Sequence, residues 1–356
     1  MPEACLTRAP TMATIIGLKP SGYFPIEASN GDVRVHRAAL DGMINRQIKA
    51  ILVGGGGIYA ALAIIIVLVT AFVPEFRHWD NVVNVINQSA TLAVLAIGQT
   101  FVIAAGLIDL SVGQLMGLVA VLISDLMQGR SALALPALFL GLGVGAGVGL
   151  INGALINRLR IHPLILTFGM LSVLQGAIFL YTDRSIGLVS PEFLELASGS
   201  LAGIPLSLLV VAGLAAGAQA ALHRTRFGWH LQAVGANEEN ARRAGISPQV
   251  IKLAAYGISG LSAGFAGMLL AGRLGTGYPN AGSGFELDAI VAVVLGGTSL
   301  AGGRGTIPGT LAAVLVLGIT SNVLNLLEMP AFGQMVAKGL IVIIAILITQ
   351  RRATAV

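Results

Sequence analysis

Residues 132–156 read ALALPALFLGLGVGAGVGLINGALI. Twenty-five residues pass without one charge, and a helix needs only about 20 apolar residues to cross a hydrocarbon core. A surface helix of a soluble protein would carry an apolar stripe and a charged opposite face; this stretch has no such face. Gly141, Gly145 and Gly149 recur every fourth residue and share one side of the helix. That spacing lets a neighbouring backbone approach closely. A nucleotide-binding reading of the same glycines needs a preceding strand, and here they lie inside a span.

Working outward, the whole chain has the same character. Of 356 residues, 55% are hydrophobic and 10% charged, against about 25% charged in soluble domains, too few to cover a soluble surface. The fold class is therefore an all-α polytopic membrane protein. Apolar runs lie at 51–73, 82–106, 110–127, 132–156, 163–181, 205–222, 251–272, 285–301, 308–327 and 331–349, about ten spans. The third and eighth are short and flanked by glycine, and read either as full crossings or as broken, re-entrant helices. Such backbone is tolerated at membrane depth only when buried in protein or facing water.

Lys and Arg in the short loops set orientation. Arg34, Arg37, Arg46, Lys49, Arg158, Arg160, Arg224, Arg226, Arg242, Arg243, Lys252, Arg304, Arg351 and Arg352 fall on one side. Only Arg77, Arg130, Arg184 and Arg273 fall on the other. Both termini are expected in the cytoplasm. The net charge of +5 thus reports topology, not a nucleic-acid partner. Cys5 is the only cysteine, so no internal disulfide forms. Residues 1–48 lack a signal-type apolar segment and read as a polar cytoplasmic tail, with a short docking segment as the alternative. Residues 49–352 are the membrane domain.

Within that domain one loop, 223–250, breaks the pattern with AVGANEENARRAGISPQ at 233–249. Asn237 is suited to cap a helix start. Glu238 and Glu239 follow in the first turn and Arg242 and Arg243 in the last, each matching the helix dipole. Gly245 supplies a left-handed C′ position and Pro248 stops continuation. The pattern predicts a helix of about two turns. So short a helix does not persist alone, so it either packs on its own protein as a connector or docks a cytoplasmic partner.

Several chemistries are missing. There is no Walker A loop and no H-E-x-x-H. GISGLSAG at 257–264 has the spacing of a serine-hydrolase elbow, but a nucleophilic serine needs a base and no histidine falls clearly inside a span. Ser259 and Ser262 read as small packing residues. No catalytic, metal or cofactor site is expected. Asp109 precedes the third span, with an N-cap as its plainer role and ion coupling as its sharper one. Glu286 and Asp288 open the eighth span. Lys338, in the tenth, either snorkels outward or faces a path. Asn87, Gln88, Gln99, Thr100, Asn152, Gln175, Asn322 and Asn325 are candidates to line a polar path, with interhelical hydrogen bonding as the alternative.

Four stretches carry a resemblance: GLIDLSVGQLMGL (106–118), INGALINRLRIHPLILTFGML (151–171), TRFGWHLQAVGANEENARRAGI (225–246) and ELDAIVAVVLGGTSLAGGRGTIPGT (286–310). Together they resemble the permease subunits of bacterial ABC importers for ribose, xylose, arabinose and galactosides, over about residues 50–350. The resemblance implies a sugar-conducting, multi-pass subunit of the inner membrane that catalyses no covalent step. It implies a second permease copy, a homodimer being expected, and a periplasmic sugar-binding protein. It also implies a cytoplasmic ABC ATPase holding ATP and Mg. By this resemblance the 237–245 helix is the coupling element. Gly235 and Gly245 set its entry and exit, Asn237 caps it, and Glu238, Glu239, Arg242 and Arg243 offer contacts. Gly296, Gly297, Gly302, Gly303 and Arg304 form an inside turn of structural or gating kind, with Thr306 and Pro308 starting the next helix. The chain departs from the family at Leu107, where a second glycine is usual, and in its longer polar tail. The rival function is an ion-coupled secondary transporter working through Asp109 or Lys338.

Overall fold

The computed structural model describes residues 57–330 and, beyond them, Gly333, Gln334, Val336, Gly339 and Leu340. The tail at 1–48, most of the tenth span and Lys338 lie outside the described residues. The helices are α1 (Gly57–Phe72), α2 (Trp79–Ala104), α3 (Val112–Met127), α4 (Ala134–Leu159), α5 (Pro163–Tyr181), α6 (Pro191–Ser198), α7 (Leu206–Arg224), α8 (Arg226–Ala236), α9 (Glu238–Arg243), α10 (Pro248–Leu274), α11 (Phe285–Leu295) and α12 (Ile307–Leu326). Short 3-10 turns at Pro74–Arg77 and Ser131–Leu133 lead into α2 and α4.

Among the described residues, six helices are long and apolar enough to cross a membrane: α2, α4 with its lead-in turn, α5, α7, α10 and α12. α1 and α3 are shorter apolar helices. Of the two readings of the eighth span, the short, broken one fits its helix. Its helix, α11, ends at Leu295 after 11 residues, about 16 Å of axis, and cannot cross a core of about 30 Å alone. The non-helical stretch 275–284 precedes it.

α2, α10 and α12 bury most of their length, while α4, α5 and α7 bury less than a third of theirs. The outer helices stay apolar on their exposed faces, with Phe139, Ile165, Phe168 and Leu180 open, because lipid tails accept such side chains without cost. α4 and α10 form the most extensive helix pair, and glycine is the reason. A Cβ on Gly145 would strike the Gly260 carbonyl and come within 3.0 Å of Gly264 Cα; one on Gly149 would come within 3.1 Å of Gly260 Cα. The face that Gly141, Gly145 and Gly149 share is thus met by a second small-residue face, Gly260 and Gly264.

One end of the bundle carries the 223–250 loop. The other carries α6 and a two-residue ladder, Ser200–Leu201 with Ile204–Pro205. An isolated bridge, Ile186 to Gly277, joins that end's loop to the stretch after α10.

Candidate functional site

The loop helix α9 is shorter than two full turns, six residues, but its boundaries follow the local chemistry. Asn237 Oδ1 accepts the Asn240 N–H at 2.8 Å. At the other end Gly245, with φ +82°, donates to the Arg242 carbonyl at 3.0 Å, and Ile246 donates to Ala241 at 3.0 Å. These two bonds are the Schellman closure that a left-handed glycine permits. Pro248 stops this helix and is also the first residue of α10. The charges pair along the helix, Arg242 with Glu238 and Arg243 with Glu239, each at 3.3 Å. Such exposed pairs contribute little. A third contact reaches out of the helix: Lys252 Nζ, on α10, sits 2.7 Å from Glu238 Oε2. Ala241 is buried in an apolar cluster with Leu107, Leu231, Val234 and Ile251. Glu239, Asn240, Arg242 and Arg243 stay exposed.

The loop holds a second helix that the charge pattern did not signal. α8 starts with Thr225 as its cap, accepting from Gly228 N–H at 3.2 Å. It is amphipathic, burying Leu231 and Val234 and exposing Trp229 and His230. α8 thus anchors the loop, and α9 projects from its end.

Where α8 meets α9, three distant stretches touch backbone to backbone. A Cβ on Gly235 would run into the Ala104 carbonyl and lie 2.7 Å from Gly303 N. Gly303 N–H itself donates to the Ala104 carbonyl at 2.9 Å. A Cβ on Gly302 would lie 2.6 Å from the Gly235 carbonyl and 2.8 Å from Gly106 Cα. The end of α2, the α8–α9 corner and the 296–305 turn are therefore fitted together with no side chain between them. In that turn, Gly296 packs against Gly309 and Thr310 at the start of α12, and Gly297 has φ +96°. Arg304 is exposed, its carbonyl accepting from Ser299 N–H at 3.2 Å. Thr306 caps α12 by accepting from Gly309 N–H at 3.3 Å, and Pro308 sits in its first turn. Leu107, where the family pattern has glycine, is buried against this junction.

Just past the junction the chain turns inward as non-helical backbone before α3 begins. The plainer expectation for Asp109 is corrected here. The residue before α3 is Ser111, and Asp109 does not cap that helix. Asp109 is buried, and its Oδ1 accepts from Ser111 N–H at 3.0 Å and from Ser111 Oγ–H at 2.6 Å. Its Oδ2 accepts from Ser259 Oγ–H, on α10, at 3.0 Å. Ser259 is thus a hydrogen-bond donor and not only a packing residue. The carbonyl of Ile108 accepts from Tyr256 Oη at 3.0 Å and from Thr167 Oγ1 at 3.4 Å. That of Asp109 accepts from Gln99 Nε2 at 3.2 Å. Tyr256 and Ser259 stand eight and eleven residues into α10, about 12 and 16 Å along its axis. The break lies at that depth, and side chains from α2, α5 and α10 take up the groups a helix would have paired.

The other polar candidates divide by their partners. Gln99, Thr100 and Asn152 are buried: Gln99 on the Asp109 carbonyl, Thr100 on Thr310 Oγ1 at 3.2 Å, Asn152 on Ser111 Oγ at 2.9 Å. Asn322 forms a reciprocal amide pair with Asn81, at 3.0 and 2.8 Å. Asn87 accepts from Ser207 Oγ–H at 2.6 Å, and Gln88 from Arg273, in the last turn of α10, at 3.3 Å. Gln175 is half-buried on α5. Asn325 is exposed and accepts from Gln334 at 2.8 Å. Glu286 and Asp288 occupy the first turn of α11. Sequence reasoning did not single out Ser111, Thr167, Tyr256 or the pairing role of Lys252. Their long-range contacts, Ser111 with Asn152, Thr167 and Tyr256 with Ile108, and Lys252 with Glu238, span 14 or more residues. Among the described residues, no three His, Cys, Asp or Glu side chains gather as a metal site would require.

Residues 81–346 match the family described as the branched-chain amino acid transport system permease component. The ribose import permease protein RbsC of Escherichia coli (strain K12) is 37% identical over 299 residues, 82% of this chain and 92% of that protein. RbsC of Bacillus subtilis (strain 168) is 38% identical over 300 residues, 83% and 93% of the two chains. The L-arabinose ABC transporter permease protein AraH of Azospirillum brasilense is 35% identical over 304 residues, 85% and 89%. No solved structure matches. With a family match over most of its length and apolar helices to carry it through a bilayer, the chain belongs to the family of transport-system permease components and is a multi-pass membrane protein.

Proposed function

We propose that this chain is the membrane subunit of an ATP-driven importer in the bacterial inner membrane, forming the path for a sugar or sugar-like solute. Relatives named for ribose, arabinose and allose import support the sugar class. The excess of Lys and Arg on the α8–α9 side supports a cytoplasmic position for that end. There α9 serves as the coupling helix for a separate ABC ATPase, which holds ATP and Mg. A periplasmic binding protein delivers the solute at the other end, and a second copy of this chain completes the pore.

The observation that carries this reading is how α9 is seated. It is capped at both ends, tied by Lys252 to α10, and stands on the Gly106–Gly235–Gly302 junction. Two residues before α9, Gly235 meets the end of α2 and the 296–305 turn backbone to backbone, so a push on α9 has a short, stiff route to both. Rigid seating of this kind suits relay of a partner's closure as a rigid-body movement. The ion-coupled alternative would need a carboxylate free to exchange ions, whereas Asp109 is engaged by Ser111 and Ser259.

The test is co-purification in mild detergent from the native host, with the unaltered chain and with Glu239→Ala plus Arg242→Ala. A Walker-motif ATPase retained by the first and lost from the second is the expected result. Transport by the chain alone down an ion gradient, with no ATPase bound, would overturn it.

A further inference from the structure

The stretch from Gly275 to Gly284 is not helical, and it runs beside α3. A Cβ on Gly277 would come within 2.7 Å of Val121 Cα, and one on Gly282 within 3.0 Å of Gly117 N and against the Gly113 carbonyl. From Val121 to Gly113 is about 12 Å of helix axis, and from the last residue of α3 to Gly113 about 21 Å. In a core of about 30 Å, the stretch reaches well inside. Yet Tyr278, Asn280, Ser283 and Gly284 are exposed along it. Exposed non-helical backbone does not face lipid, where its N–H and C=O groups would go unpaired; it faces water or protein. Asn280 and Ser283 on the open side favour water.

At the inner end of this wall sit two acceptors without donors. Gln114 is 3% exposed; its Nε2 donates to Ser283 Oγ at 3.2 Å, and its Oε1 has no partner. Glu286 Oε1 accepts from Gly284 N–H at 3.2 Å, while Oε2 lies against Gly113 and is buried without a donor. Buried acceptors left unpaired are costly, and a polyol brings a hydroxyl donor on nearly every carbon. We propose that Gln114, Ser283 and Glu286 form a hydroxyl-binding patch in the translocation path, with residues 278–284 as its water-facing wall. The inference rests on the sugar reading of the cargo given above.

Cys5 is the only cysteine, so Cys5→Ala gives a background for single labels. Ser283→Cys in the assembled importer should react with a membrane-impermeant maleimide about tenfold faster than Val173→Cys or Phe179→Cys on the open face of α5. Purified importer in proteoliposomes would then be assayed with D-ribose, L-arabinose and L-leucine. Glu286→Gln and Gln114→Leu should each cut pentose uptake about tenfold while ATP hydrolysis is retained. Failure of Ser283→Cys to label overturns the water-facing wall and leaves the importer reading intact. Labelling with pentose uptake unchanged in both variants overturns the binding role alone. Uptake of L-leucine and of neither pentose overturns the sugar reading, and this inference with it.

Discussion

Replacing Asp109 separates a hydrogen-bonding carboxylate from an ion-coupling one. Three donors converge on it: Ser111 N–H at 3.0 Å, Ser111 Oγ–H at 2.6 Å and Ser259 Oγ–H at 3.0 Å. In Asp109→Ala, the Ser111 N–H is stranded in buried backbone, which costs about 1–3 kcal/mol, and the two hydroxyl bonds add about 1 kcal/mol each. The total is about 3–5 kcal/mol, a large share of a typical domain's stability. In Asp109→Asn, Oδ1 still accepts from Ser111, and Nδ2 turns to Ser259, whose hydroxyl accepts instead. We predict that Asn lies within about 1 kcal/mol of the native chain and keeps transport, while Ala loses both stability and transport. Thermal melting of the detergent-purified importer, read beside sugar uptake in proteoliposomes, decides the matter. If Asp109→Asn abolishes uptake with an unchanged melt, the carboxyl group itself is required. The hydrogen-bond argument then fails, and ion coupling gains ground.

Three further predictions follow from close backbone contacts and one amide pair. Gly235→Ala pushes a methyl into the Ala104 carbonyl and breaks its bond to Gly303, at about 2–4 kcal/mol for overpacking plus one lost bond. Uptake should fall more than ATP hydrolysis, and native uptake by this variant would show that the junction transmits nothing. Gly260→Val drives α4 off α10 against the Gly145 carbonyl and Gly149 Cα. Because the obstacle is backbone, the expected outcome is loss of monodisperse protein on size exclusion. Asn322→Leu leaves the Asn81 amide without its reciprocal partner, for about 1–3 kcal/mol, and should lower the melting temperature with little change in solute preference.

Much of α9 was legible because its signals are local. Asn237, the Glu–Arg order and Gly245 act within one or two turns, so the sequence order is the structure. Its true length came out shorter, since Ala244 already belongs to the closing turn. α8 was overlooked because its two large buried side chains, Leu231 and Val234, become an apolar face only beside α2 and α10. The eighth span was legible as short from its flanking glycines, but the end of its helix was not, because Gly296 turns the chain against Gly309 and Thr310 at the start of α12. The polar residues were hardest to place. A glutamine or asparagine in an apolar run reads alike whether it faces a path or another helix.

The sequence alone determined that this is a helical membrane protein with a capped, charged helix in one loop. Hydrocarbon admits only backbone that pairs with itself, so long apolar runs must be helices, and caps act over a few residues. Tertiary structure alone decided where helices stop at depth, and that Gly106, Gly235 and Gly302 meet. It also decided that Asp109 is held by Ser111 and Ser259, and that stretch 275–284 runs beside α3. Each of these depends on a partner far along the chain supplying a donor, an acceptor or an absence of side chain. A one-dimensional pattern carries no record of which partner that is.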